Sequence, residues 1–119
     1  MKKIVEKPWG HEEIWAHTDN YVGKILFVKA GHRLSLQHHV TKEETLRVHS
    51  GILLFESGTS VDSLVNVEMH PGDVVTVRPG TIHRMTGVTD CEVYEVSTTE
   101  LGDVVRHVDD YGREGSSEP

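Results

Sequence analysis

A single cysteine, Cys91, is the only thiol in this 119-residue chain. No intramolecular disulfide can form and a cysteine-rich zinc site of the finger type is excluded, which fits a reducing, cytoplasmic setting. Cations are also scarce, with 12 Lys and Arg against 19 Asp and Glu, a formal charge of -7. A duplex-binding surface needs clustered cations to neutralise phosphates, so nucleic acid is not an expected partner. Long apolar runs are missing too: none approaches the ~20 residues that cross a bilayer. The start meets Glu6 and Pro8 before a signal-like apolar stretch can build, so neither a membrane partner nor a secretory leader is expected. Hydrophobic residues make up 36% and aromatics 6%, enough for one modest core and one domain.

Helical periodicity is lacking as well. Apolar residues recur in short β-branched runs broken by Gly, Pro, Asp or Ser, so the chain reads as all-β. Candidate strands cover 11–17, 21–29, 33–38, 44–49, 51–56, 64–69, 73–78, 83–87, 91–98 and 103–108. Between them stand turn pairs such as Ser50-Gly51, Pro71-Gly72 and Pro79-Gly80. So many short strands at tight spacing predict a sandwich or barrel. One domain is expected over 1–113, including an N-terminal arm, and a flexible polar tail over 114–119.

What the chain has in surplus is histidine, nine in all. In the stretch from Gly31 to Glu44, strand alternation puts Ser35, Gln37 and His39 on one face, and Glu44 opens the next run. Pro79-Gly80-Thr81-Ile82 then delivers His83 to the start of another strand. Two imidazoles, a carboxylate and an amide oxygen make a mixed N/O set suited to Zn²⁺, Mn²⁺ or Fe²⁺. His38 and His49 lie on the opposite parity and are expected to point away from such a site.

These residues carry a resemblance. Gly31, Gln37, His38, His39, Glu44 and Gly51 resemble the first cupin motif with its first histidine replaced by glutamine, and Gly72, Gly80 and His83 resemble the second. Arg78 stands where the second motif usually has proline, with Pro79 one place later. Lys7-Pro8-Trp9-Gly10, Leu34-Ser35-Leu36-Gln37, Gly80-Thr81-Ile82-His83-Arg84 and Asp110-Tyr111-Gly112-Arg113 are similar to the cupin domain of type II mannose-6-phosphate isomerases, a likeness spanning about residues 7–113. Residues 57–67 do not follow the family closely. The resemblance implies a double-stranded β-helix, a jelly-roll barrel, with metal ligands Gln37, His39, Glu44 and His83 around one divalent ion inside it. Zn²⁺ is the first choice, with Mn²⁺, Fe²⁺ or Ni²⁺ as alternatives. In the family this domain often follows a nucleotidyltransferase domain, of which these residues hold nothing.

The activity so implied is isomerisation of a phosphorylated sugar, aldose to ketose through an enediol. That chemistry needs a base, for which Glu95 and Lys24, charged residues set in apolar strands, are the candidates. It also needs a cation clamp for phosphate, preferably guanidinium; Arg33 and Arg113 are chosen from a set that includes Arg84 and Arg106. Trp9 is either a lid or sugar-stacking ring, or a plug in the barrel end or a subunit seam. Cys91 is read as a small core residue. A homodimer is expected, with Ile25 and Phe27 on the partner-facing sheet. A metal-dependent dioxygenase or decarboxylase and a non-catalytic sugar-binding module remain open beside the isomerase, because one fold hosts many chemistries.

Overall fold

Strand periodicity of two accounts for nearly all of the architecture. The computed structural model describes residues 2–116. Its strands are β1 (Lys3–Lys7), β2 (Gly10–His17), β3 (Val22–Val28), β4 (Leu36–His38), β5 (Glu44–Ser50), β6 (Leu53–Gly58), β7 (Val65–Met69), β8 (Val74–Val77), β9 (Ile82–Gly87), β10 (Cys91–Ser97), β11 (Val105–Val108) and β12 (Gly115–Ser116). All pair antiparallel, in two six-stranded sheets of order β1-β2-β3-β10-β5-β8 and β12-β11-β4-β9-β6-β7. Strands far apart in sequence, such as β3 and β10, are neighbours, which is the expected jelly roll. Among the described residues no helix is long and apolar enough to cross a membrane.

Each expected strand has its counterpart. The strand expected over 33–38 is interrupted: Arg33 makes only an isolated bridge to Thr86, and regular pairing starts at Leu36. β1 was not expected, because its residues are mostly exposed on both faces and show no apolar alternation. β12 pairs Gly115 and Ser116 with β11; the remainder of the expected tail, 117–119, lies outside the described residues.

The inner faces change character along their length. On β3 the inward side chains are Lys24, then Leu26 and Val28; on β5 Glu44, then Leu46 and Val48; on β10 Val93, then Glu95 and Ser97. The same alternation thus buries an apolar stretch at one end of the sandwich and charges at the other. The apolar end packs Leu26, Leu46, Val48, Leu53, Phe55, Met85 and Val93 into one core, each Leu or Phe contributing about 1.5–3 kcal/mol by leaving water. Trp9, 2% exposed, belongs to this core and borders the cavity, packed in place and not standing free as a lid. Cys91 is a core residue as expected, its thiol donating to the Ile52 carbonyl.

Two glycines fix the turns that shape this arrangement. Gly51 sits at φ 83°, and a Cβ there would fall 2.1 Å from the Asp90 carbonyl oxygen. Gly80, at φ 85°, donates its N–H to the His39 carbonyl at 2.8 Å and so ties the loop before His83 to the segment carrying His39.

Candidate metal centre and its cavity

Glu44 is the first residue of β5, His83 the second of β9, and His39 follows β4 directly. All three are buried, with their nearest ligand atoms within 4.8 Å of one another. Glu44 lies between the rings: Oε2 is 3.6 Å from His39 Nε2 and Oε1 is 3.5 Å from His83 Nε2. Backbone carbonyls hold the other ring nitrogens. His83 Nδ1 donates to the Thr81 oxygen at 2.9 Å and His39 Nδ1 to the Asp103 oxygen at 2.5 Å. With Nδ1 protonated, a neutral ring aims its Nε2 lone pair inward, the orientation a metal-binding imidazole requires.

The donor set fits a divalent cation. His83 Nε2 is buried with no hydrogen-bond partner, an arrangement costly to keep unless another group satisfies it. Atoms ligating a tetrahedral ion stand about 3.4 Å apart, close to the 3.5 and 3.6 Å found here. Gln37 is the cross-strand partner of His83 and lines the same cavity, so the four residues expected as ligands come together.

Beside this cluster lies a cation that sequence reasoning missed. Lys42 Nζ is 3.0 Å from both Glu44 Oε2 and Glu95 Oε2, deep in the protein. Burial opposes its charge, but the Glu95 and Glu44 carboxylates outweigh that and hold the ammonium well above the ordinary lysine range. Burial likewise pushes the Glu44 carboxyl up. The adjacent His39 and His83 rings and the charge of Lys42 overcome it and keep the group well below the ordinary range. Lys42 stands two residues before Glu44, and extending the same-face rule by one step would have found it.

Both base candidates face inward. Glu95 is 4% exposed, and its cross-strand partner Lys24 is 3% exposed. Lys24 Nζ meets Glu12 Oε1 at 3.3 Å, another partner that the sequence reading did not single out. The two arginines chosen as a clamp separate. Arg113 lines the cavity while its guanidinium bonds Asp109. Arg33 stands outside it, half-exposed, its Nε and Nη2 donating to Asp110 at 2.6 and 2.8 Å. The broken strand explains this: alternation does not carry through Leu34 and Ser35, which are both buried against the cavity. Arg84 is also off the cavity, bonded to the Leu34 and Val108 carbonyls.

Asp103, in the loop before β11, was missed as well. Its carboxylate accepts the N–H groups of Val40, Thr41 and Lys42 at 2.9, 2.6 and 2.8 Å, clamping the loop between His39 and Glu44. Burial raises its pKa, but these three donors more than offset that and keep it below the ordinary aspartate range. His38 turns away as expected and meets His107, Nδ1 to Nε2, at 2.7 Å. The cavity has a volume of about 70 Å³, and both sheets wall it.

Comparison with known proteins agrees with this fold. Residues 1–110 match the family described as Mannose-6-phosphate isomerase C-terminal. No curated protein matches the sequence. Among solved structures, KdgF from Halomonas sp. is 17% identical, with a TM-score of 0.69 over 83% of this chain and 86% of its own. The capsular polysaccharide assembling protein CapF from Staphylococcus aureus is 16% identical, with a TM-score of 0.69 over 99% of this chain and 34% of its own. Bacillus subtilis oxalate decarboxylase is 12% identical, with a TM-score of 0.77 over 89% of this chain and 30% of its own. The chain therefore spans about a third of the last two, and at these identities the likeness is one of fold.

Proposed function

We propose, from the premise that this chain belongs to the mannose-6-phosphate isomerase C-terminal family of cupin jelly-roll domains, that it is a metal-dependent sugar-phosphate isomerase interconverting an aldose and its ketose. The observation that carries the reading is the buried His39, Glu44 and His83 cluster with Glu95 fixed beside it through Lys42. Gln37, His39, Glu44 and His83 would hold the ion, Zn²⁺ being the first to try. Bound there, a divalent cation supplies Lewis-acid stabilisation of a developing oxyanion.

The protein's own groups do the rest. Glu95 accepts the proton from the carbon beside the carbonyl and returns it to the neighbouring carbon, while the hydroxyl proton passes between the two adjacent oxygens. Lys42 keeps the Glu95 carboxylate in register with the cluster, and Lys24, bound to Glu12, borders it on the next strand. Trp9 and the core beside it form the apolar part of the cavity wall.

The test is proton NMR in deuterated buffer with metal-loaded protein and a panel of hexose and pentose phosphates, including mannose 6-phosphate and fructose 6-phosphate. One sugar of the panel is expected to lose its C1 or C2 proton signal as its partner sugar appears. If every sugar stays unchanged while the protein holds metal, the isomerase reading fails, and the decarboxylase, dioxygenase and binding-module readings take its place.

A further inference from the structure

Of the nine histidines, two belong to the buried cluster and two others meet outside it. His38 Nδ1 and His107 Nε2 stand 2.7 Å apart, with ring centres 4.9 Å apart and planes inclined at 30°. Both rings are half-buried, and neither lines the cavity. The histidine contacts to carboxylates fall elsewhere, on His39, His70 and His83. His11 and His49 stack on the rings of Phe27 and Tyr94 instead.

A break in one ladder builds the pair. Val105 stands opposite His38 and Arg106 opposite Gln37, but the next pairing is Val108 with Leu36, so His107 is an extra residue in β11. A bulge of this kind re-aims a side chain, and here it leaves His107 against the ring of His38. Alternation does the rest. Gln37 and His39 on either side of His38, and Arg106 before His107, line the cavity, which leaves both imidazoles on the outer face of the sheet.

The hydrogen bond between the two nitrogens takes up one N–H and one lone pair. When its proton passes through solvent to the far nitrogen of the same ring, two neutral imidazoles offer two lone pairs side by side, with no proton gained or lost. Nitrogens bound at about 2.0–2.1 Å in neighbouring positions of a square or octahedral ion stand about 2.9 Å apart. The observed 2.7 Å lies within a few tenths of an ångström of that, so the rings need only a small opening and a turn of each towards a common point. A tetrahedral ion needs about 3.4 Å, which is the spacing of the buried cluster and not of this pair.

We propose that His38 and His107 form a second metal site, on the outer face of β4 and β11, for a tetragonal divalent transition-metal ion, Cu²⁺ ahead of Ni²⁺, with water in its other positions. An ion there clamps β4 to β11 where the bulge interrupts their ladder. The assignment does not depend on the activity proposed above.

The test is a titration of the full-length protein, already holding one equivalent of Zn²⁺, with Cu²⁺, while NMR follows the histidine ring signals of the wild type, His38→Gln and His107→Gln. In the wild type the His38 and His107 signals are expected to broaden first, below one added equivalent and ahead of His11, His17, His32, His49 and His70. Calorimetric affinity for this Cu²⁺ is expected to fall at least about tenfold in either variant, since even an outer-shell partner of a metal site is worth that much. His107→Gln, which is not flanked by residues of the buried cluster, decides the matter should His38→Gln fail to fold. Broadening that begins at His39 and His83 or at another surface histidine overturns the proposal, as does unchanged affinity in the folded variants. A pair that takes Zn²⁺ ahead of Cu²⁺ at equal concentration contradicts the tetragonal assignment.

Discussion

Lys42 is the residue on which two buried carboxylates depend. Removing its charge leaves Glu44 and Glu95 close together with only the imidazoles to offset them. Lys42→Met is therefore expected to destabilise the metal-free protein by about 3–5 kcal/mol, with a smaller loss once Zn²⁺ is added; urea unfolding with and without the ion measures both. Asp103 acts at one remove. Asp103→Ala frees three N–H groups and loosens the carbonyl behind His39. The expected cost is about 1.5–3 kcal/mol in stability and about 10–100-fold in metal affinity by calorimetry.

Asp109 and Asp110 predict acid sensitivity. Burial pushes Asp109 up, but its bonds from Arg113 prevail; Asp110 is lowered by its bonds from Arg33; both sit below the ordinary aspartate range. Their stabilisation is complete above the unfolded value of about 3.9 and is lost as pH falls through the lower folded values. Unfolding midpoints measured from about pH 6 to about pH 2 should fall accordingly, and more shallowly in Arg113→Gln. At this scale, residues inside regular strands were legible: Gln37, Glu44, His83, Glu95 and Lys24 face the cavity, as alternation or chemistry suggested. Lys42 was not singled out because the same-face rule was not carried two residues back from Glu44, Asp103 because its loop has no period to follow, and Arg33 was misplaced because its strand is interrupted.

At the scale of elements, strand ends decide what is dry and what is charged. β3, β5 and β10 each carry apolar residues and a Lys or Glu on one inner face, so the site needs no special element of its own. Turns set the register that aligns these ends, and Gly51 is the least replaceable of those described above. Gly51→Ala must keep a left-handed backbone and move its Cβ away from the Asp90 oxygen. It is expected to lose at least ~2 kcal/mol in urea unfolding, with smaller losses at Gly72, where nothing stands within 4 Å of an added Cβ. The strand pattern was readable because both sheets bury one face against the core. β1 escaped because an edge strand with Lys3, Ile4 and Glu6 exposed shows no apolar period, yet it carries Lys7 to the cavity wall.

The whole molecule is a sandwich with a sealed apolar end and a polar cavity, and its outer surfaces are uneven. On the outer face of the β1-to-β8 sheet, Trp15, Tyr94 and Val96 are exposed near the half-buried Ile25 and Phe27. We assign the expected dimer contact to this face. Sedimentation should show a wild-type dimer and a Tyr94→Lys, Val96→Glu monomer with an unchanged strand spectrum; a wild-type monomer rejects the assignment. The central claim joins a held metal ion to a carboxylate base within this one cavity. The measurement that bears on it most directly is deuterium incorporation from solvent at C1 or C2 of the turned-over sugar phosphate, comparing wild type with Glu95→Gln and following metal content in both. The account predicts incorporation by the wild type and at least a ~10²-fold slower rate in Glu95→Gln at full metal occupancy. Equal incorporation by the two proteins, or none by a wild type that holds its metal, contradicts it.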